Sequence, residues 1–168
     1  MASPAPPTPV IRDAHPGDVE AIRSVAETTW WATYEELRGP EWIREHLAEF
    51  YAPDLLAEQI EAAAAGDEPH FLIAEAEGKV VGYLHFLVMD DRGPYLRRLY
   101  VLPEFHGSGF GRALVIELHR RLGAGARYQL DVHPENHKAV GFYLGFGAHW
   151  TGERLEPCWD LMEVAVDG

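Results

Sequence analysis

The chain has 168 residues, 47% of them hydrophobic, and a formal net charge of −13. That length and apolar content suit one domain with a full core, and the acidic balance argues against a nucleic-acid partner, which requires a basic face. No apolar run approaches the roughly 20 residues of a membrane span, no signal-peptide core opens the chain, and the single cysteine, Cys158, permits no internal disulfide, so a soluble cytoplasmic protein without a membrane partner is expected.

Residues 1–9, rich in Ala, Ser, Thr and Pro, are expected to be a disordered tail, with 10–168 forming a single domain. Val10 to Ala14 predicts a first strand. Asp18 to Trp31 predicts a helix, with Asp18 as N-cap and Val19, Ile22, Val25 and Ala26 on one face. Trp30, Trp31 and Tyr34 crowd its end, either as core or as the wall of a substrate pocket. Glu41–Phe50 and Pro53–Ala65 predict a second helical region broken at Pro53. His70–Ala76 and Lys79–Met89 predict a hairpin turning at Gly78, and Tyr95–Leu102 predicts the next strand, closed by Pro103.

The turn His106-Gly107-Ser108-Gly109-Phe110-Gly111 then opens a helix. Ala113, Leu114, Ile116, Leu118 and Leu122 form its apolar stripe, Glu117, Arg120 and Arg121 face water, and Gly123 is the stop. Arg127–Val132 predicts a strand parallel to the one before the helix. Asn136–Leu144 predicts a short helix, and His149–Glu153 with Trp159–Val166 a closing antiparallel pair. The class is α/β: a mixed, mostly antiparallel sheet flanked by helices, with one β-α-β crossover.

Glycines just ahead of a helix leave backbone N–H groups unshielded at the positive end of its dipole, which makes an anion site. A P-loop needs Lys and Ser/Thr after the last glycine, and this chain has neither there. A dinucleotide fingerprint needs the spacing Gly-x-Gly-x-x-Gly after the first strand, whereas here it is Gly-x-Gly-x-Gly and late. A third reading is a pyrophosphate cradle for coenzyme A, which the glycine turn alone does not single out.

With the strand Leu99-Tyr100-Val101-Leu102-Pro103 ahead of it, the turn resembles the cofactor motif of the GNAT family of N-acetyltransferases, with His106 in place of the usual Gln or Arg. That family's second signature is matched by Asn136, Ala139, Phe142, Tyr143 and Gly147. The resemblance runs from about Phe71 to Val166. It implies a GNAT-like acyl-CoA N-acyltransferase fold with a splayed parallel strand pair, and acetyl-CoA as co-substrate. It further implies transfer of the acetyl group by direct attack of a primary amine, on a small amine, a polyamine, or a lysine or N-terminal amine. Position by position, backbone amides from Gly107 through Ser108, Gly109, Phe110 and Gly111 to Arg112 would hold the pyrophosphate. The backbone of Leu99 and Val101 would pair with the pantetheine arm, and the Val101 amide would polarise the thioester carbonyl. Asn136 would hydrogen-bond the arm, and Tyr143 would protonate the leaving thiolate. Alternatives are a non-catalytic acyl-CoA-binding domain or an acyltransferase using another acyl-CoA.

No motif supplies the general base, because Tyr95 stands where some members carry a glutamate. The candidates are His85, on a strand face with Tyr83 and Leu87, and Glu104, Asp131 and His133, near the carboxyl ends of their strands. His133 and His137 have the i, i+4 spacing of a helical metal pair, but Pro134 and the helix start at Asn136 put His133 outside the helix, so no metal is expected. Cys158 has no activating motif. The acidic balance leans towards a cationic acceptor, and a homodimer is expected only as the commonest association of soluble chains.

Overall fold

The order β1-β2-β3-β4-β5-β7-β6 makes one seven-stranded sheet in which every neighbouring pair is antiparallel except β4 and β5. The strands are β1 (Val10–Asp13), β2 (His70–Ala76), β3 (Lys79–Met89), β4 (Gly93–Val101), β5 (Arg127–Val132), β6 (His149–Leu155) and β7 (Trp159–Ala165). The computed structural model describes residues 5–66 and 68–168. Of the tail expected over 1–9, residues 1–4 lie outside the described residues, and 5–9 carry no regular secondary structure.

Three helices, α1 (Val19–Arg38), α2 (Pro40–Phe50) and α3 (Pro53–Ala64), cover one face, while α4 (Phe110–Leu122) and α5 (His137–Leu144) cover the other. Period-2 alternation divides each central strand between the two layers. Phe71 and Ile73 of β2, with Tyr83 of β3, pack on Ile22, Trp30, Ile43 and Leu56. Leu72 and Leu84 pack on Phe110, Leu114, Leu118 and Tyr128. Because β2 and β3 are buried on both faces, their sequences read as near-continuous apolar runs.

Three local expectations are corrected. The first helix runs to Arg38 rather than Trp31, since nothing breaks it before Gly39, whose φ of 83° ends it. Trp30, Trp31 and Tyr34 therefore stand mid-helix. On α4, Ile116 is 50% exposed and Val115 is buried in its stead, because the stripe facing the sheet is set by Phe110, Leu114 and Leu118. Lastly, Asp18 does not cap α1 with its side chain. Its buried carboxylate turns back to accept two bonds of 2.8 Å from the Arg12 guanidinium and one of 2.9 Å from the His15 amide.

Burial alone raises the Asp18 carboxyl, but these donors outweigh it and hold its pKa below the ordinary value. A folded pKa below the unfolded one gives stability that is complete above the ordinary carboxylate range and is lost as pH falls through the folded value. Asp18→Asn is expected to destabilise the protein by about 2 kcal/mol at pH 7. It should also shrink the loss of stability between pH 5 and pH 3. Urea unfolding of both proteins at the two pH values measures this, and equal acid sensitivity would remove the role given to the pair.

Candidate active site

The site begins with an irregularity in β4. Against β3, His85 pairs with Arg98 but Phe86 pairs with Leu96, so Arg97 is the extra residue of a β-bulge. A bulge bends its strand and increases its twist. On the other side, β4 meets β5 at one registered pair, Tyr95 with Gln129, and then parts from it. From Arg97 to Val101 that edge of β4 has no registered partner in β5, and a cleft of about 1560 Å³ opens along it. One drug-sized ligand occupies about 300–1,000 Å³, so there is room for two reactants.

At one end of the cleft lies the glycine turn. Gly107 and Gly109 have φ of 77° and 88°, left-handed values that a side chain rarely adopts, and a Cβ on either would point into open space. The first backbone bond of α4 runs from the Ala113 amide to the Gly109 carbonyl at 2.9 Å. The amides of Phe110, Gly111 and Arg112 precede it and are unpaired among the described residues, as at any helix start. Among the described residues, the Gly107 and Gly109 amides also have no acceptor. The Ser108 amide differs from its neighbours: it donates to the Phe105 carbonyl at 3.2 Å, and Ser108 does not border the cleft. Phe110 anchors the turn by burying its ring against Phe105. His106, bordering the same end, bonds through Nε2 to the Val101 carbonyl at 2.8 Å and so ties the turn to the end of β4.

Midway along, Leu99, Val101, Asn136 and Tyr143 border the cleft. Asn136 caps α5, its Oδ1 accepting from the Ala139 amide at 3.3 Å while Nδ2 donates to the Tyr34 hydroxyl at 3.3 Å. Tyr143 is buried, and burial pushes its phenol well above the ordinary pKa, so it stays protonated across the working range. Its hydroxyl bonds to none of the described side chains.

The four candidate bases separate clearly. His85 lies in the core, stacked on Phe71 at 4.7 Å, with burial and then the Arg98 charge pushing its pKa down to about 3. Glu104 is exposed on the short turn after β4 and does not border the cleft. His133 is buried, and its Nδ1 accepts from the Glu135 amide at 3.2 Å. His137, exposed on α5, does not join it, and among the described residues no three His, Cys, Asp or Glu side chains converge as a metal site. Asp131 alone borders the cleft. Its Oδ1 accepts a short hydrogen bond from the Tyr95 hydroxyl, and burial outweighs that bond to raise the carboxyl above its ordinary pKa.

The far end is aromatic, and most of it escapes sequence reasoning. Ring centroids run Trp30 to Tyr34 at 4.6 Å, Tyr34 to Trp159 at 5.7 Å, Trp159 to Trp42 at 6.5 Å and Trp42 back to Trp30 at 5.6 Å. His46 presses on Trp30 at 3.9 Å and stacks on Trp42. Burial, then the Arg98 and Arg97 charges, push its pKa down to about 4, so the imidazole is neutral. Behind this wall the buried Tyr51 hydroxyl accepts from Trp30 Nε1 at 3.2 Å and lies 2.9 Å from the Tyr83 hydroxyl. Cys158 lies beyond the wall, its Sγ accepting from Arg38 Nη1 at 3.3 Å. No helix among the described residues is long and apolar enough to cross a membrane.

Comparison with known proteins converges on one chemistry. The model of the acetyltransferase (GNAT) family matches residues 28–147. An uncharacterized N-acetyltransferase of Mycobacterium tuberculosis is 30% identical over 142 residues, covering 82% of this chain and 86% of its own length. A spermidine N(1)-acetyltransferase of Thermoplasma acidophilum is 26% identical over 132 residues, covering 77% of this chain and 81% of its own. In fold, the chain resembles the PaiA N-acetyltransferase of Thermoplasma acidophilum, solved in complex with coenzyme A, with a TM-score of 0.83 at 24% identity over 94% of this chain and 99% of that one.

Proposed function

Because the chain belongs to the acetyltransferase (GNAT) family, we propose that it moves the acetyl group of acetyl-CoA to a primary amine by direct attack, without an acyl-enzyme. The observation that carries this reading is one continuous cleft. It joins the unpaired amides at the start of α4, the open edge of β4, the phenol of Tyr143 and the carboxylate of Asp131.

Acetyl-CoA supplies the acetyl group as an activated thioester. The amides of Gly107, Gly109, Phe110, Gly111 and Arg112 suit its pyrophosphate, where the helix dipole adds to their bonds. No Cβ stands between Gly107 or Gly109 and that charge. Leu99 and Val101 offer backbone groups to an extended arm along the unpaired edge of β4, as an added strand would be held. The Val101 N–H is the donor for the carbonyl oxygen as it gains charge. Asn136 fixes the start of α5, and so the position of Tyr143 about two turns later.

Asp131 takes the proton that the attacking ammonium must lose. Tyr143 gives a proton to the departing sulfur and regains one from the nitrogen, which loses its second proton as the amide forms, so the proton count balances with one proton left on Asp131. Holding both reactants in one cleft supplies most of the acceleration, on the order of 7–11 kcal/mol for well-oriented partners.

Tyr143→Phe is expected to lower kcat by about a hundredfold with several amines while the affinity for coenzyme A changes less than about twofold. The phenyl ring keeps the packing against Phe142, so only the proton is lost. A thiol-release assay with calorimetric titration of coenzyme A reads both quantities. Unchanged turnover would remove Tyr143 as the acid, and no coenzyme A binding by the unaltered protein would remove the whole reading.

A further inference from the structure

The charge at the acceptor end of the cleft runs against the charge of the chain. Overall the protein carries −13, yet this end is bordered by Arg92, Arg97 and Arg98 against Asp131 and Glu135. Two of the guanidiniums are occupied. Arg92 is paired with Glu153 at 2.9 Å, and the buried Arg98 donates to the Phe50 carbonyl at 2.7 Å and to Gln59 Oε1 at 2.6 Å. Arg97 is different. The bulge turns it outward, exposed and bordering the cleft, and it makes no ion pair or side-chain hydrogen bond among the described residues. A free guanidinium presents a planar fork that matches a carboxylate.

On the same cleft, Tyr95 occupies only Oδ1 of Asp131, leaving Oδ2 without a side-chain partner among the described residues. The wall of Trp30, Tyr34, Trp42 and Trp159, with the neutral His46 filling it, borders the same cleft. A group for an anion, a group for a cation and an apolar wall thus border one cleft.

We propose that the acceptor amine is a free hydrophobic α-amino acid, its carboxylate held by Arg97, its ammonium by Asp131 and its side chain by the aromatic wall. This rests on the acetyl-transfer reading and narrows it. A polyamine would bring two or more positive charges to a lining already crowded with guanidinium, and would leave Arg97 unanswered.

Thiol release at saturating acetyl-CoA with L-phenylalanine, phenethylamine and spermidine tests it, since phenethylamine keeps the ring and the amine but lacks the carboxylate. L-Phenylalanine is expected to exceed both others at least tenfold in kcat/KM. Arg97→Gln, an exposed change, should lower phenylalanine turnover tenfold or more, chiefly through KM, and leave phenethylamine within twofold. Preference for spermidine, parity of phenethylamine with phenylalanine, or an equal loss on both in Arg97→Gln would each overturn the proposal, the last by placing Arg97 on the reacting carbonyl.

Calorimetric titration of L-phenylalanine, with and without coenzyme A, separates the two readings. Arg97-dependent binding with no thiol release from any amine would defeat acetyl transfer and leave the amino-acid site standing. Absence of binding while other amines release thiol would do the reverse.

Discussion

Asp131→Asn is expected to lower kcat about a thousandfold at pH 7.5 while coenzyme A binds within about twofold of the unaltered protein. Asparagine has the same shape and can still accept from the Tyr95 hydroxyl, so the cleft keeps its outline and only a proton acceptor is lost. The pH profile gives the second readout. Burial raises the Asp131 carboxyl above its ordinary pKa, which makes the carboxylate a stronger base than a surface aspartate. A base must be ionised to act, so activity is present above that raised pKa and falls as pH drops through it. In Asp131→Asn this acid limb should vanish from what activity remains.

Stability should move the other way. A folded pKa above the unfolded one means the ionised side chain costs folding energy at neutral pH, and stability returns only as pH falls towards the unfolded value. The asparagine variant should therefore melt no lower than the unaltered protein at pH 7.5. A kcat within about fivefold of the unaltered protein, with its acid limb intact, would place the base elsewhere. Glu135 is the next carboxylate on the cleft.

How much of this could be read from the chain depends on the sequence distance over which each feature is built. The glycine turn, the hairpin at Gly78, and the pairing of Asn136 with Tyr143 are local, and their residues dictate them within one or two turns. The splay between β4 and β5 is half local. A crossover helix requires the parallel pair, but the parting depends on the bulge at Arg97. The sequence carries no trace of it, since Arg97 outward and Arg98 inward is what plain alternation would give.

Asp131 could not be singled out from His85, Glu104 and His133, because no motif assigns the role and three of the four sit near strand ends, with His85 within β3. Only the tertiary structure shows that the ring of Phe71 covers one, that His133 is spent on a neighbouring amide, and that Glu104 faces solvent. The aromatic wall is least legible of all. Trp30 and Tyr34 come from α1, Trp42 and His46 from α2, and Trp159 from β7, more than 110 residues further on. Composition is silent there too, since a summed charge of −13 does not show that Arg92, Arg97 and Arg98 border the cleft.

Gly109→Val is expected to weaken coenzyme A binding at least a hundredfold, about 2.7 kcal/mol, and to leave the fold in place. Gly109 sits at φ 88°, ψ 0°, just ahead of α4, and a β-branched residue there is strained enough to pull the turn towards negative φ. The amides of Phe110, Gly111 and Arg112 would then lose their common aim. The helix itself stays seated, because Phe110, Leu114 and Leu118 are fully buried against the sheet. Circular dichroism and a melting curve verify this beside the calorimetric titration.

Gly109→Asn separates backbone conformation from mere bulk. Asparagine tolerates the left-handed region, and no protein atom lies within 4 Å of its Cβ position, so it should bind within about tenfold of the unaltered protein. Gly111 makes a poorer test of the same cradle. Its missing Cβ would lie 3.4 Å from the Phe142 ring, so a larger residue there disturbs the seat of α5, and with it Tyr143, as well as the turn. Undiminished coenzyme A affinity in Gly109→Val, in a protein that melts normally, would show that the anion is not held by these amides.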